Sequence, residues 1–528
     1  MRSLLLLLLL SPALFAQSID SAAVDRLARD TMAKWKVPAM SVAIVQNDRI
    51  VYAKGFNATP DTLFQIGSTT KAFTTTAMAM LVDEKKMSWD DPVRKYIEYF
   101  HLSDPCADSL VTLRDIVSHR TGLSRHDELW DYTSMSREEI IRHVASVKLN
   151  KPFRSEYQYN NIMLMTAGEA VASAAKMPWS DFVATRIFAP LGMTHTAISE
   201  KDWVKSDHAI GYWYDAPHDA VLVQHALPYE SLAPAGTIKS SAHDMAQWIR
   251  FQLADGVIDG KRLVSADALN ETKTPQTLVP LTGDSKDENP ESNLSAYGMA
   301  WRIQDYRGEL LVSHGGALNG FRAQVDLLPH QHSGFVVLSN LGRGLAVIAM
   351  RNALADMLLG KSQRDWNAYY LALDAKSRAT DQTKKLAEEA KRHRDTHPSR
   401  ELAAYAGTYE NAGYGPAIVS VDGDHLAVQY GRLHVPMTHF HFDTFSAIDA
   451  EEDIDEQVVF TLGAGGASFA VTVGRRRAAI PNQAASTRTT SSAPAQYRVR
   501  ITFRPQSRVE RAPFPNRTVP RVRRRRPA

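Results

Sequence analysis

The sequence contains very little cysteine: Cys106 is the single one in 528 residues. One cysteine cannot form an internal disulfide and does not supply the ligands of a zinc site, so burial of a core must stabilise the fold. Long apolar runs are also missing, since no stretch of about 18 apolar residues follows the short run at residues 4–10. The sequence has no G-x-S-x-G, P-loop, H-E-x-x-H or dinucleotide-binding motif. We therefore expect a protein without a membrane span and without a cofactor.

Residues 1–16 have the pattern of a secretory signal peptide. Arg2 provides a positive start, residues 4–10 are apolar, and Ala13 and Ala16 are small residues suited to a cleavage region. An uncleaved anchor is the alternative reading. Because export without disulfides suits the bacterial periplasm or cell exterior, we expect a secreted or periplasmic bacterial protein.

Acidic residues are nearly absent from the end of the chain. Residues 475–528 contain fifteen arginines, no lysine and one acid, Glu510, although the net charge of the whole chain is only +3. Low apolar content without periodicity predicts a disordered tail. A polyanion-binding arm and a shifted reading frame are alternatives, and we do not expect nucleic-acid binding.

Hydrophobic patterning predicts an α+β domain over residues 17–360. Two β-rich runs flank Asn47-Asp48, which predicts a hairpin, and further β-rich runs cover residues 297–303, 309–313, 321–328 and 334–339. Helical patterns fill the middle; they cover residues 68–84, 162–174, 179–188 and 242–253, and a capping box begins at Ser136. This order is that of an antiparallel sheet built from both chain ends, flanked by helices, with an inserted helical lobe.

The region after residue 360 differs in character. Residues 361–398 are charged and helix-prone, which predicts a linker helix. Residues 399–474 contain short alternating strands separated by turns, which predicts a small all-β, barrel-like domain.

The chemistry-bearing motif is Ser68-Thr69-Thr70-Lys71 at the start of a predicted helix. Serine and lysine three residues apart lie on one helix face, which puts a hydroxyl nucleophile beside an amine base. The pattern is common by chance, so it needs support from other motifs. Two occur in order: Tyr159-Asn160-Asn161 before a helix, and His314-Gly315-Gly316 after a β-run.

Together these motifs resemble those of class C β-lactamases and their relatives, the penicillin-binding proteins, DD-peptidases and esterases. The resemblance covers about residues 21–359 and includes residues 113–123, 190–193 and 234–236. It implies a serine β-lactamase-like fold. Residues 401–409 resemble the start of a small lipocalin-like domain that often follows such catalytic domains.

The resemblance implies a role for each motif residue. Ser68 is the expected nucleophile, and Lys71 and Tyr159 share its proton as a coupled pair in which the base stays undecided. Asn161 would orient Lys71 and a substrate amide. The backbone N–H groups of Ser68 and Ala317 would form the oxyanion hole.

The third motif departs from the β-lactamase pattern. Gly315 and Gly316 would let a substrate backbone approach the strand closely. His314 replaces the lysine of true β-lactamases, and a histidine is mostly neutral at neutral pH. This change favours an esterase or peptidase-like enzyme over an efficient β-lactamase.

The sequence thus predicts a secreted serine hydrolase that acts on amide or ester bonds through a Ser68 acyl-enzyme. Its substrate would be a small molecule or peptide, such as a β-lactam, a D-amino peptide or an ester; the oligomeric state stays open. The alternative is a catalytically weak, penicillin-recognising sensor that keeps the fold. Five histidines are candidate metal ligands; they are His119, His330, His332, His439 and His441. Carboxylates or cysteines at ligand spacing are missing beside them, so we expect no metal site.

Overall fold

The computed structural model describes residues 19–449, 454–462, 468–475 and 500–505. The chain forms two compact units. The first contains the described residues up to 392 together with residues 412–414, and the second contains residues 393–411 and the strands that follow residue 414. The predicted signal peptide and most of the predicted arginine-rich tail lie outside the described residues.

An eight-stranded antiparallel sheet forms the centre of the first unit. Its strands are β1 (Met40–Gln46), β2 (Arg49–Phe56), β3 (Thr277–Leu278), β4 (Ser295–Tyr297), β5 (Arg302–Tyr306), β6 (Glu309–Leu318), β7 (Phe321–Leu328) and β8 (Ser333–Ser339). Their spatial order is β3-β4-β5-β6-β7-β8-β1-β2. Because β1 pairs with β8, the sheet joins both ends of the domain, as predicted.

Local sequence explains the hairpin between β1 and β2. Asn47 and Asp48 both have positive φ angles, of 48° and 60°. Two consecutive positive φ angles are typical of the tight turn whose twist matches that of paired strands. The predicted hairpin is therefore confirmed.

Six helices of the described residues have twelve residues or more; they are α1 (Ser21–Trp35), α2 (Thr70–Asp83), α3 (Asn161–Ala175), α4 (Ala242–Leu253), α5 (Gly344–Leu358) and α6 (Trp366–Glu389). Helix α4 packs on β1 and β8 from one face of the sheet, and α5 packs on β7 and β8. Helices α2 and α3 pack together in the helical lobe between β2 and β3.

Shorter helical segments complete the lobe and the connections. The α-helical ones are Pro105–Leu110, Leu113–Val117, Glu128–Asp131, Arg137–His143, Trp179–Val183, Ala189–Leu191, Glu200–Trp203, Ala233–Gly236, Ala266–Glu271 and Asp284–Glu288. The 3₁₀ turns are Gly67–Thr69, Val93–Lys95, Val144–Ser146, Glu230–Leu232, Pro329–Gln331 and Leu402–Ala404, and Ala184–Phe188 is a π-helical turn. Ser136 and Glu139 form the predicted capping box, each side chain accepting from the other residue's backbone N–H.

Short strands connect these segments. Phe64–Gln65, Lys239–Ser240 and Thr196–Ala197 form a three-stranded sheet, Tyr212–Asp215 pairs with Ala220–Val223, and Val257–Ile258 pairs with Lys261–Arg262.

Helix α6 begins within the core of the first unit. Trp366 and Tyr370 are buried against α1 and α5, and Asn367 accepts a hydrogen bond from the Trp35 indole at 2.9 Å. Burying two large aromatic side chains stabilises this docking by several kcal/mol, at about 25 cal/mol per Å². The first turns of the predicted linker helix are thus part of the core of the first unit.

The second unit is an antiparallel barrel of eight strands; they are Gly407–Asn411, Gly415–Asp422, His425–Tyr430, Leu433–His441, Thr444–Asp449, Ile454–Leu462, Ser468–Arg475 and Arg500–Pro505. Arg500–Pro505 pairs with both Gly407–Asn411 and Ser468–Arg475, which closes the barrel. The sequence predicted the barrel but assigned these last six residues to the disordered tail. Strand pairing, which is a long-range interaction, explains the difference.

Helices of the described ranges offer no candidate for a membrane span, because none is both long and apolar enough.

Candidate active site

Ser68 lies in a sharp turn directly before α2. Residues Gly67–Thr69 form a 3₁₀ turn, and α2 starts at Thr70. Gly67 has a φ of 52°, which an L-residue with a side chain adopts only with strain. The turn places Ser68 at the N-terminal end of a buried helix, where N–H groups and the helix dipole favour negative charge.

The Gly67–Thr69 turn touches strand β6 through two glycines. A Cβ atom on Gly67 would lie 2.4 Å from the Ala317 nitrogen, and one on Gly316 would lie 1.9 Å from the Ile66 oxygen. The same position on Gly316 lies 3.3 Å from the Ser68 nitrogen. The amides of Ser68 and Ala317 therefore belong to two segments in direct backbone contact, the arrangement that an oxyanion hole requires.

This contact shows that position 316 requires glycine for a reason other than the one that we expected. We predicted that it lets a substrate approach, whereas the Ile66 carbonyl of the protein itself occupies the space that a side chain would need. At Gly315 the nearest atom to such a Cβ is the Gln324 Oε1, at 3.1 Å.

Lys71 is fully buried and makes three polar contacts. Its Nζ lies 2.9 Å from the Ser68 Oγ, 2.7 Å from the Asn161 Oδ1 and 2.7 Å from the Ala235 carbonyl oxygen. Burial, with the charge of Arg125, holds the pKa of Lys71 well below its ordinary value, and Asp127 opposes this only in part. A neutral amine has two N–H groups for the two carbonyl oxygens and one lone pair for the Ser68 hydroxyl.

An ion pair between Arg125 and the buried Asp127, which contacts Asn161, was not identified from the sequence. Asp127 accepts from the Asn161 Nδ2 at 3.0 Å, from the Trp130 indole at 2.9 Å and from the Arg125 Nε at 2.6 Å. The first of these contacts fixes the Asn161 amide so that its oxygen faces Lys71. The only signal in the sequence was the position of this loop just after the 113–123 match.

The ring of Tyr159 lies near the amine of Lys71 and the guanidinium of Arg125. The Lys71 Nζ is 4.9 Å and the Arg125 Cζ 5.1 Å from the centre of its ring. Burial nevertheless raises the pKa of Tyr159 far above its usual value. The nearby Ser68 hydroxyl lowers that pKa by less than burial raises it, and the two oxygens do not reach hydrogen-bond geometry. Tyr159 is therefore a protonated phenol in the free protein.

His119 supports this tyrosine from the 113–123 loop. It is fully buried, its ring centre lies 4.4 Å from that of Tyr159, and its Nδ1 accepts from the Asn160 backbone N–H at 3.2 Å. Burial lowers the pKa of His119 well below its ordinary value, so the ring is neutral. The sequence marked His119 as part of a family loop without assigning it a role.

His314 is also buried and neutral. Its Nδ1 donates to the Gly315 carbonyl at 2.6 Å, and its Nε2 accepts from the Tyr297 hydroxyl at 2.9 Å, in the tautomer that satisfies both contacts. Burial, together with Lys71, lowers the pKa of His314 to about 3. His314 consequently carries no charge near neutral pH and cannot replace the lysine's charge.

The other histidines do not join this site. His330 and His332 lie in and directly after the turn Pro329–Gln331, and His439 and His441 lie on a barrel strand. Within the described ranges, no group of three or more histidine, cysteine or acidic side chains is arranged to hold a metal ion.

Comparison with protein families gives two matches. Residues 24–357 match the Beta-lactamase family, and residues 391–480 match DUF3471, a domain of unknown function. Among curated proteins, an unguisins hydrolase of Aspergillus campestris is 28% identical over 422 residues, covering 73% of this chain and 75% of its own. An unguisins hydrolase of Aspergillus violaceofuscus is 26% identical, covering 85% and 84%. Protein flp of Staphylococcus aureus strain COL is 24% identical, covering 60% and 62%.

Solved structures show the same fold. The octameric penicillin-binding protein homologue from Pyrococcus abyssi superposes with a TM-score of 0.56 at 22% identity, covering 86% of this chain and 98% of its own. The class C β-lactamase from Rhodobacter sphaeroides superposes with a TM-score of 0.52 at 22% identity, covering 64% and 99%. Because the family match spans well over half of the sequence, this chain belongs to the Beta-lactamase family.

Proposed function

We propose that this protein is a serine hydrolase that cleaves amide or ester bonds through an acyl-enzyme on Ser68. The observation that carries the proposal is the set of contacts of Lys71. Its Nζ meets the Ser68 hydroxyl and two carbonyl oxygens in a buried site that disfavours the ammonium form. A serine whose proton has a nearby, neutral acceptor is an activated nucleophile.

The first step forms a bond between the Ser68 Oγ and the substrate carbonyl carbon. The Ser68 proton moves to the Lys71 Nζ, and the electron pair of the carbonyl bond moves to its oxygen. The backbone N–H groups of Ser68 and Ala317 then donate to that oxyanion. Such donors act without reorganisation and contribute about 3 kcal/mol each to transition-state stabilisation.

The second step breaks the bond to the leaving group. The Tyr159 hydroxyl, protonated because burial raises its pKa, donates its proton to the departing oxygen or nitrogen. The Lys71 ammonium, held beside the Tyr159 ring, returns a proton to the phenolate. A water molecule then attacks the acyl-enzyme by the reverse path, which restores Ser68.

The neutrality of His314 bears on the substrate. A buried imidazole with a pKa of about 3 offers hydrogen bonds and no positive charge at this position. This supports an esterase or peptidase-like activity ahead of efficient β-lactam hydrolysis.

Active-site labelling tests the proposal. The protein is treated with a fluorophosphonate and, separately, with a labelled penicillin, and adducts are located by mass spectrometry. We expect one adduct on Ser68 that is absent from Ser68→Ala and retained in Ser155→Ala, a change at an exposed serine outside the site. If neither reagent gives an adduct, the hydrolase proposal is contradicted, and a binding protein that is not acylated is favoured instead. A penicillin adduct that persists, without ester or nitrocefin turnover, would favour the sensor.

A further inference from the structure

His119 holds the backbone on both sides of Tyr159. The His119 carbonyl oxygen accepts from the Gln158 N–H at 2.7 Å, and the His119 Nδ1 accepts from the Asn160 N–H at 3.2 Å. One residue therefore binds the two N–H groups that flank the proposed proton donor. Displacing the Tyr159 backbone breaks at least one of these hydrogen bonds and leaves a polar group unpaired.

The backbone of His119 is held in an uncommon conformation. His119 lies two residues after the helix Leu113–Val117 and has a φ of 56°, a left-handed conformation that is costly for a residue with a side chain. The buried Asp115 fixes the chain around it, because its carboxylate accepts from the Arg120 Nε at 2.6 Å and from the Arg154 Nη2 at 2.7 Å. Surrounding contacts thus hold His119 in place beside Tyr159.

The hydrogen bond from Asn160 fixes the tautomer of His119. Because the Nδ1 accepts from an N–H group, the proton of the neutral ring must be on the Nε2. Burial is the main reason that the pKa of His119 lies well below its ordinary value, so the ring does not take up a second proton. His119 therefore presents one N–H donor, which is the Nε2.

Two polar atoms on these adjacent rings have no protein partner. Among the described residues, no atom reaches hydrogen-bond geometry with the His119 Nε2 or with the Tyr159 hydroxyl oxygen. His119 is 0% exposed and Tyr159 is 5% exposed, and their ring centres lie 4.4 Å apart. A buried donor without an acceptor destabilises the free protein, and an acceptor that forms during the reaction would remove this cost.

The orientation of the imidazole places its donor at the hydroxyl end of the tyrosine. The Nδ1 binds the backbone of Asn160, the residue after Tyr159, and the Nε2 lies on the other side of the imidazole ring. The Tyr159 side chain also extends away from this backbone, with the hydroxyl at its far end. The His119 Nε2 and the Tyr159 hydroxyl therefore both lie on the side of the two rings that is remote from the main chain.

The other groups around Tyr159 are engaged elsewhere. Titratable and charged side chains approach these two rings from several elements; they are Lys71 on α2, Arg125 and Asp127 in the loop after residue 123, Tyr157 before α3, Tyr297 on β4 and His314 on β6. The Arg125 Nε donates to Asp127 at 2.6 Å. The Tyr297 hydroxyl donates to His314 at 2.9 Å. The His119 Nε2 differs from these donors, since it has no acceptor within the described part of the chain.

We propose that His119 is a positioning residue for proton transfer by Tyr159: it holds the phenol in place and donates from its Nε2 to the phenolate that forms when the leaving group departs. In that step the bond between the carbonyl carbon and the leaving group breaks, and its electron pair goes to the leaving oxygen or nitrogen. That atom takes the Tyr159 proton. The Tyr159 oxygen keeps the electron pair of its O–H bond and accepts the hydrogen bond, and His119 keeps its own proton.

The hydrogen bond forms only on the reaction path. Hydrogen bonds that serve catalysis are often long or poorly aligned in a free enzyme and tighten as the reaction proceeds. A hydrogen bond to a charged acceptor is also stronger than one to a neutral acceptor, so the phenolate binds the donor more tightly than the phenol does. The inference rests on the proposed hydrolase activity, since it concerns a proton transfer of the same site.

Two butyrate esters that differ in the leaving group test the proposal. Ethyl butyrate releases an alkoxide that needs a proton, whereas 4-nitrophenyl butyrate releases a stable phenolate that departs without one. We expect His119→Asn to lower kcat/KM for ethyl butyrate roughly ten- to one hundred-fold and to keep kcat/KM for 4-nitrophenyl butyrate within about threefold. Equal losses for the two esters, or no loss for ethyl butyrate, would overturn the proposal.

Matched variants separate the donor from the structural contacts of His119. Asparagine tolerates a positive φ, and its Oδ1 replaces the Nδ1 as acceptor for the Asn160 N–H, but its side chain ends short of the Nε2 position. His119→Gln reaches that position with an amide N–H, so it should recover part of the ethyl butyrate rate. His101→Asn, at an exposed histidine outside the site, should leave both rates unchanged. A His119→Gln rate as low as that of His119→Asn would contradict the role of the donor.

A titration distinguishes this inference from the hydrolase proposal. The more acidic 3,5-difluorotyrosine is placed at position 159 of the full chain, and its fluorine NMR signal is followed against pH with and without His119→Asn. Because the donor stabilises the phenolate, its loss should move the titration midpoint to higher pH, by at least about one pH unit. Such a shift supports the role of His119 even if the protein hydrolyses neither ester. An unchanged midpoint refutes it even if Ser68 is acylated.

Discussion

Adding one methyl group at Gly316 should damage catalysis and leave the fold intact. A Cβ at this position would lie 1.9 Å from the Ile66 carbonyl oxygen and 2.8 Å from its carbon, both backbone atoms. Real Cβ contacts essentially never fall below 3.0 Å, so the two segments must separate by about 1 Å. Ile66 directly precedes the Gly67–Thr69 turn, and the separation therefore moves the Ser68 amide away from the Ala317 amide.

The size of the effect follows from oxyanion-hole geometry. The two N–H groups must lie about 2.7–3.1 Å from the developing oxyanion, so a shift of about 1 Å removes one productive hydrogen bond. Loss of one such donor lowers kcat by roughly one hundred- to one thousand-fold. KM should change little, because the interaction strengthens mainly in the transition state.

Gly315→Ala provides the matched control on the same strand. There the nearest atom to the new Cβ is the Gln324 Oε1 at 3.1 Å, the end of a side chain that must shift by only a few tenths of an ångström. With a neutral phenyl ester, we expect Gly315→Ala to keep kcat within about threefold and Gly316→Ala to lose at least one hundred-fold, with both proteins folded by circular dichroism. Similar kcat values for the two variants would refute the reasoning.

Two further predictions concern pH. Acylation needs a neutral Lys71, whose pKa is lowered by burial, so kcat/KM should rise with pH through that pKa. This rising part of the pH profile should stay at the same pH in His314→Gln, because His314, with a pKa of about 3, is already neutral. A pH profile that shifts in His314→Gln would contradict the assignment of the rise to Lys71. Burial raises the pKa of Asp326 to about 7, above its unfolded value near 3.9, so the folded state binds the proton more tightly. The free energy of unfolding should therefore fall as pH rises from about 4 to about 7, by up to roughly 4 kcal/mol. Urea unfolding of Asp326→Asn should lack this decline, and parallel pH curves for the two proteins would disprove it.

Elements with strong local signals were predicted well. Helix α4 has the predicted bounds, and α3 begins one residue before its predicted start at residue 162. The capping box at Ser136 and the hairpin at Asn47-Asp48 are local because their hydrogen bonds or φ angles involve neighbouring residues.

Elements that depend on distant partners were predicted less well. We predicted one strand over residues 297–303, but the chain turns between Ser295–Tyr297 and Arg302–Tyr306, and Ala300 has a φ of 68°. The Gly298 N–H donates to the Trp301 carbonyl at 2.8 Å within this turn. Pairing of the two strands creates this turn, and composition alone does not encode that pairing.

The contacts of the candidate site also differ in whether local sequence predicts them. Ser68 and Lys71 are one helical turn apart, so their proximity follows from local helix geometry and could be read from the sequence. The contact of Lys71 with the Ala235 carbonyl spans 164 positions, and that of Asn161 with Asp127 spans 34. Neither contact has a periodic pattern that a sequence could reveal.

The sequence alone determined the family motifs, the order of strands and helices, and the neutral residue at the third motif. Only the tertiary structure decided why that residue, His314, stays uncharged: burial removes the solvent that would stabilise an imidazolium. Only the tertiary structure brought Arg322 and Arg351, from a strand and a later helix, into one cavity with His314. Burial and long-range packing depend on the whole fold, whereas a motif depends on a few adjacent residues.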